Sequence, residues 1–163
     1  MSSLSFSTAT VQLLSADDIA AVVEIERLSN SHPWTERNFH DALASGYLCL
    51  VACDHGVVSG FAVARLLVDE AELLLIAVTP SMRRQGVALL LWIELAARLR
   101  ASGARTVHLE VRHSNQSAQA FYASRGFVKS GVRPSYYPNG ALATEREDAV
   151  LMQVPLEQAL RPR

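Results

Sequence analysis

The chain has 163 residues, half of them apolar, and a formal net charge of −1 at pH 7. That length predicts one domain able to bury a core without metals or disulfides, and the apolar share excludes a disordered polypeptide. The near-neutral balance gives no electrostatic case for nucleic acid or a membrane surface as a general partner.

The opening segment MSSLSFSTATVQLL has no basic stretch followed by a long apolar core, and no apolar run reaches membrane-spanning length. Residues 10–14 predict a short first strand. Ser15 and Asp18 have capping-box spacing, and Ile19, Val22, Val23, Ile25 and Leu28 mark the buried stripe of a helix ending near Ser29. His32-Pro33-Trp34 interrupts; Thr35 then caps a second helix running to about Leu43 and closed by Gly46. Residues 47–53 and 57–67 predict two strands joined by a tight turn at Asp54-His55-Gly56. Cys49 and Cys53 share a face of the first of these. CxxxC in a strand has neither zinc spacing nor a second ligand pair, so both read as buried reduced thiols, consistent with a soluble, cytoplasmic protein.

The next segment, ELLLIAVTPSMRRQGVALLL over residues 72–91, predicts a buried central strand, a turn at Pro80, a loop rich in arginine and small residues, and an apolar helix over about 85–101. A strand that feeds a tight loop into a helix aims main-chain N–H groups and the helix dipole at one point, an anion site. Arg83 and Arg84 flank the bend, and Gly86 and Ala88 leave the backbone open to a phosphate. Neither GxxxxGK[ST] nor GxGxxG is present.

Residues 105–112 predict a strand with Val107, Leu109 and Val111 on one face and His108, Glu110 and Arg112 on the other. Ser114 or Asn115 caps a helix, SAQAFYASR, ended by Gly126. Residues 127–132 and 149–154 predict the last strands, with a turn at 136–140 and a loop between them too long for a simple hairpin. The order βααβββαβαββ implies an α/β fold built on a single mixed sheet with helices on both faces. Ligands bind such sheets where the topology changes, here at the 78–88 loop.

The segments IAVxPxxRRxGxA, LEVRxSN and AFYxxxGF, in that order and spacing, resemble the GNAT acetyltransferase superfamily, whose fold has a mostly antiparallel central sheet. More narrowly, HPWTE, EAEL, YYP and REDAxxM are similar to segments of RimI-type bacterial ribosomal-protein-alanine N-acetyltransferases. The resemblance implies acetyl-CoA as co-substrate, no metal, and a protein N-terminus as acceptor, with no nucleic acid or membrane partner and a monomer or weak dimer. It implies Glu110 as proton acceptor and Tyr122 as proton donor to the coenzyme A sulfur. One ring of the Phe121-Tyr122 pair is expected in the core and the other in the cleft.

By the same resemblance the main chain at Ile76, Ala77 and Val78 serves the pantetheine arm. Arg83, Arg84, Gln85, Gly86, Val87, Ala88 and Leu89 serve the diphosphate, and Asn115 serves as helix cap and cofactor contact. Trp34, Arg133, Tyr136, Tyr137, Glu147 and Asp148 match the acceptor end of the cleft. Leu75 stands where many relatives carry a polar residue, and the 138–146 loop reads as longer than the group's short turn. His108 is a candidate second base beside a structural role, while His32 and His113 read as loop residues. Two alternatives stay open: a GNAT acting on other N-termini, lysines or a small amine, and a coenzyme A- or protein-binding module without turnover.

Overall fold

Alternation along the central strands sorts the helices onto opposite sides of one sheet. In the computed structural model, which describes residues 8–139 and 144–159, seven strands lie in the order β1-β2-β3-β4-β5-β7-β6. They are β1 (Thr10–Leu13), β2 (Leu48–Asp54), β3 (Val57–Leu67), β4 (Glu70–Val78), β5 (Thr106–Arg112), β6 (Val128–Asn139) and β7 (Glu145–Pro155). The helices are α1 (Ile19–Ser29), α2 (Glu36–Ala44), α3 (Val87–Ala101), α4 (Gln116–Ser124) and the short α5 (Leu156–Ala159). Neighbouring strands are antiparallel except β4 and β5, which run parallel.

On one face Leu50, Ala52, Ala62 and Ala64 meet Val87, Leu91, Trp92 and Leu95 of α3. Small side chains let this helix sit close to the sheet. A Cβ on Gly60 would lie 2.9 Å from the Ala77 carbonyl oxygen and 3.2 Å from side-chain carbons of Val87 and Leu91, so only glycine fits there unstrained. On the other face Val51, Phe61 and Val63 pack against Ile19, Val22 and Ile25 of α1 and Phe39 of α2. Cys49 belongs to this second cluster, and burial pushes its thiol up to about 11, which keeps it protonated.

The helix termini follow local chemistry. Ser15 donates its backbone N–H and hydroxyl to Asp18 Oδ2 (2.8 and 3.0 Å), and Thr35 Oγ1 accepts from the Asn38 N–H (3.4 Å). The helix expected from residue 85 begins at Val87, because Gly86 takes φ +83° and is its cap.

One interruption in the sheet makes the site. β4 pairs with β5 only from Glu70↔Thr106 to Leu73↔Leu109. At that point β4 also slips against β3, where Ala64↔Leu73 is followed by Val63↔Leu75 and Leu74 is left over. Such a bulge adds twist and bends the strand. Beyond it β4 continues to Val78 without a partner on β5, so two neighbouring strands splay into a cleft whose walls are main chain.

The end of the chain corrects two expectations. Residues 136–139 are not a turn but the distal part of β6, paired as Tyr137↔Glu147, Pro138↔Arg146 and Asn139↔Glu145; Gly140 lies outside the described residues. Of the 138–146 segment, expected as loop, Pro138, Asn139, Glu145 and Arg146 are therefore paired strand residues. The strand was hidden by its irregularity: register shifts occur between Lys129 and Gly131 and between Arg133 and Tyr137, and Ser135 takes φ +49°.

Candidate active site

The loop before α3 is braced from within. Arg83 Nε donates to the Val78 carbonyl (3.1 Å), its Nη2 to Ser29 Oγ (3.3 Å), and Gln85 Nε2 to the Ser81 carbonyl (3.2 Å). Arg84 at φ +63° and Gly86 at φ +83° turn the chain into the helix. Leu90 N–H bonds back to the Gly86 carbonyl (3.0 Å), so the N–H groups of Val87, Ala88 and Leu89 precede the first helical bond and face the approach to the helix end. A Cβ at Gly86 would touch nothing within 4 Å, so that approach is open. The main chain at 86–89 thus fits an anion, Arg84 is exposed beside it, and Arg83 and Gln85 hold the loop's shape.

Glu110 occupies the β5 wall just past the splay. Its carboxylate Oε1 lies 3.2 Å from Arg133 Nη1 of β6. Tyr136 sits beside it, and the Glu110 charge pushes the Tyr136 phenol above its ordinary value. Arg133 in turn stacks over the Tyr136 ring (5.4 Å) and Tyr136 meets Tyr137 edge-on (4.9 Å). Burial, then the charge of Glu110, pushes Tyr137 up to about 12.

Tyr122 of α4 is buried, packed against Phe121 (5.5 Å) and Phe127 (5.4 Å). Burial, with Tyr137 nearby, pushes its phenol well above the usual tyrosine range, so it holds its proton throughout the neutral range. Of the Phe121-Tyr122 pair, Tyr122 is the buried ring and Phe121 is only partly so. Tyr137 is near enough to feel the Glu110 charge and to act on the Tyr122 phenol, although the three lie on separate elements.

The opposite wall is the 30–34 segment. A cavity of about 310 Å³ lies between it and β6, lined by His32, Trp34, Leu74, Leu75, Glu110 and Tyr137 among others. Trp34 is fixed by an edge contact with Phe39 (5.4 Å), which meets Phe61 the same way (5.4 Å). Beneath the segment Glu26 is buried, and its Oε1 accepts from Asn30 Nδ2 (3.2 Å) and from the Trp34 N–H (3.3 Å). Sequence reasoning missed Glu26; the signal was a carboxylate beside Val22 and Ile25 on the helix's buried side.

Burial raises the Glu26 carboxyl, and the two hydrogen bonds offset this only in part. A carboxyl whose folded pKa exceeds its unfolded value of about 4.3 weakens the fold as it ionises, so stability falls as pH rises through that window. Glu26→Gln keeps a carbonyl acceptor for both donors and removes the charge. Its denaturation midpoint is expected to gain on that of the native protein as pH rises from about 4 to 7; a widening loss instead would contradict the burial argument.

Glu147 and Asp148 are engaged in holding the hairpin. Glu147 accepts from Arg112 Nη1 (2.8 Å) and the Ser114 N–H (3.0 Å), which lowers its pKa, while Asp148 Oδ1 accepts the Ser135 N–H (2.8 Å). Arg112 also donates to the Pro138 carbonyl (3.0 Å) and stacks on Tyr137 (4.5 Å). Asn115 Oδ1 caps α4 through the Ala118 N–H (3.1 Å). The carboxylate facing the cleft beside Glu110 is instead Glu72, paired with Arg65 (2.6 Å) and absent from the sequence-based set.

Residues 19–127 match the model of the acetyltransferase (GNAT) family. The chain is 36% identical over 147 residues to the [ribosomal protein bS18]-alanine N-acetyltransferase of Escherichia coli, covering 90% of this chain and 97% of that one. It is similar to the crystal structure of the ribosomal-protein-S18-alanine N-acetyltransferase from Escherichia coli, with a TM-score of 0.84, 36% identity and coverage of 91% and 94%. A phosphinothricin acetyltransferase from Sinorhizobium meliloti in complex with AcCoA is also similar, with a TM-score of 0.76, 26% identity and coverage of 91% and 88%.

Proposed function

The chain belongs to the acetyltransferase (GNAT) family and has its fold, and from that premise we propose that it moves the acetyl group of acetyl-CoA to the N-terminal α-amine of an alanine on ribosomal protein bS18. The observation that carries this reading is the splay of β4 from β5, which sets Glu110 opposite an unpaired strand edge leading to the open helix end at Gly86.

In this reading the diphosphate rests on the main chain at 86–89 and on Arg84, and the pantetheine arm lies along β4 at Ile76 and Ala77 as a strand would. The Val78 carbonyl is taken by Arg83, which sets the strand end rather than the ligand. The acceptor nitrogen attacks the thioester carbonyl carbon, and an N–C bond forms as the C–S bond breaks. Glu110 receives the amine proton through water, and Tyr122 gives its proton to the departing sulfur. A main-chain N–H of the β4 edge stabilises the developing oxyanion.

An α-amine suits this chemistry. With a pKa near 7.8 roughly a tenth of it is neutral at neutral pH, against well under one in a thousand for lysine. The acceptor is a protein N-terminus, and the reading includes a cytoplasmic setting and a monomer or weak dimer. Among the described residues no helix is long and apolar enough to cross a membrane.

The test is mass spectrometry of an alanine-starting bS18 peptide incubated with acetyl-CoA, beside the same peptide with its α-amine blocked and one carrying a free internal lysine. One acetyl on the open α-amine alone is expected. Transfer only to the lysine would exclude the N-terminal assignment.

A further inference from the structure

The segment after α1 gives the cleft Asn30, His32 and Trp34, and all three hang on one carboxylate that does not itself line the cavity. Glu26 Oε1 accepts from Asn30 Nδ2 (3.2 Å) and from the Trp34 N–H (3.3 Å). Asn30 Oδ1 in turn accepts the His32 N–H (3.2 Å), so the middle of the segment is tied to Glu26 through Asn30. One buried oxygen thus fixes where the main chain of this wall passes.

The core has no need of a carboxylate there. Glu26 is 2% exposed, on the same helix side as Val22 and Ile25, where an apolar side chain would bury itself at a gain. Among the described residues it has no cationic partner, and its two hydrogen bonds offset the cost of burial only in part. What the carboxylate does serve is the loop. The other side of the same helix turn is held separately: Ser29 Oγ donates to the Ile25 carbonyl (2.7 Å) and accepts from Arg83 in the loop before α3 (3.3 Å).

We infer that Glu26 is a positioning residue for the acceptor. Through Asn30 and the Trp34 main chain it sets the wall against which the incoming N-terminus lies, and it acts on the acceptor rather than on the cofactor. The inference rests on the N-terminal acceptor reading above. Without an oxygen at this place the Trp34 N–H and the Asn30 amide turn to water, and the segment moves outward with them. Trp34 keeps its edge contact with Phe39, so the wall is displaced rather than lost. A displacement of about 1 Å in a positioning element is enough to cost about 10²-fold in rate.

The test measures kcat/KM for an alanine-starting peptide, the Kd for acetyl-CoA and the melting temperature in Glu26→Gln and Glu26→Leu. Glu26→Leu is expected to melt no lower than the native protein at neutral pH, since an apolar side chain of similar size replaces a buried carboxylate. Its kcat/KM for the peptide is expected to fall about 10- to 100-fold while the Kd for acetyl-CoA stays within about twofold. Glu26→Gln keeps an acceptor for both donors, and its kcat/KM is expected to stay within about threefold of native. Should Glu26→Leu fail to fold, Asn30→Asp sets a second carboxylate against Glu26 at the helix end and is expected to show the same loss. Adding Glu26→Gln to it restores a donor–acceptor pair and recovers most of the activity. Three results would each overturn the inference and leave the functional reading intact: unchanged kcat/KM in Glu26→Leu, equal losses of peptide turnover and acetyl-CoA affinity, or an Asn30→Asp defect that Glu26→Gln does not relieve. If the native protein acetylates no alanine-starting peptide, the functional reading fails and the inference falls with it.

Discussion

Glu110→Gln is expected to lower kcat by about 10²–10⁴ while leaving the Kd for acetyl-CoA within about twofold, because a positioned proton acceptor contributes on that scale. The two effects separate because Glu110 stands on β5, across the splay from the β4 edge and the α3 terminus that form the anion site. Glutamine is nearly isosteric and still meets Arg133 and Tyr136. The ion pair it removes has its arginine half exposed, so the loss of stability is expected to stay below about 1 kcal/mol. Steady-state kinetics beside calorimetric titration with acetyl-CoA reads both quantities. Equal losses in turnover and cofactor affinity would take Glu110 out of the catalytic role.

Tyr122→Phe is expected to cost about 10² in the single-turnover rate, at the lower end for a positioned acid. The ring contacts with Phe121 and Phe127 survive the change, so the melting temperature should move little. Burial has already raised the phenol, so its proton is kept beyond pH 10 and no alkaline fall in rate below that pH is expected from its loss. An unchanged single-turnover rate with a lowered melting temperature would mean that Tyr122 serves only the core.

What could be read along the chain was what depends on near neighbours. The capping pairs Ser15–Asp18 and Thr35–Asn38, the Gly46 and Gly126 stops, and the alternation through β5 are all set within a few residues. The hairpin between β3 and β4 escaped notice because its turn carries Val68 at φ +59° in place of the glycine or asparagine that usually marks one. The distal half of β6 escaped for a related reason. Its Tyr-Tyr-Pro-Asn stretch has turn chemistry, and only pairing with β7 makes it a strand.

The same boundary divides the site. The strand-to-helix loop at 78–88 and the place of Glu110 on the polar face of β5 were legible because each depends on one strand and the turn after it. Glu147 and Asp148 looked like acceptor ligands in the sequence, yet Arg112, 35 residues from Glu147, and the bulged β6 claim them. Glu26 gave no motif at all, and Glu72 stood only within the EAEL segment with no role of its own, since their roles come from what lies opposite them.

The sequence by itself determined the order of elements, their caps and the strand–loop–helix turn at 78–88, because φ preferences, periodicity and helix ends are local properties of the chain. Only the tertiary structure decided where β4 parts from β5, which carboxylates are paired and which face the cleft, and that Tyr137 comes within electrostatic reach of both Tyr122 and Glu110. Charge pairing and burial depend on distance through space, and residues far apart in the chain acquire that distance only once the sheet has closed around them.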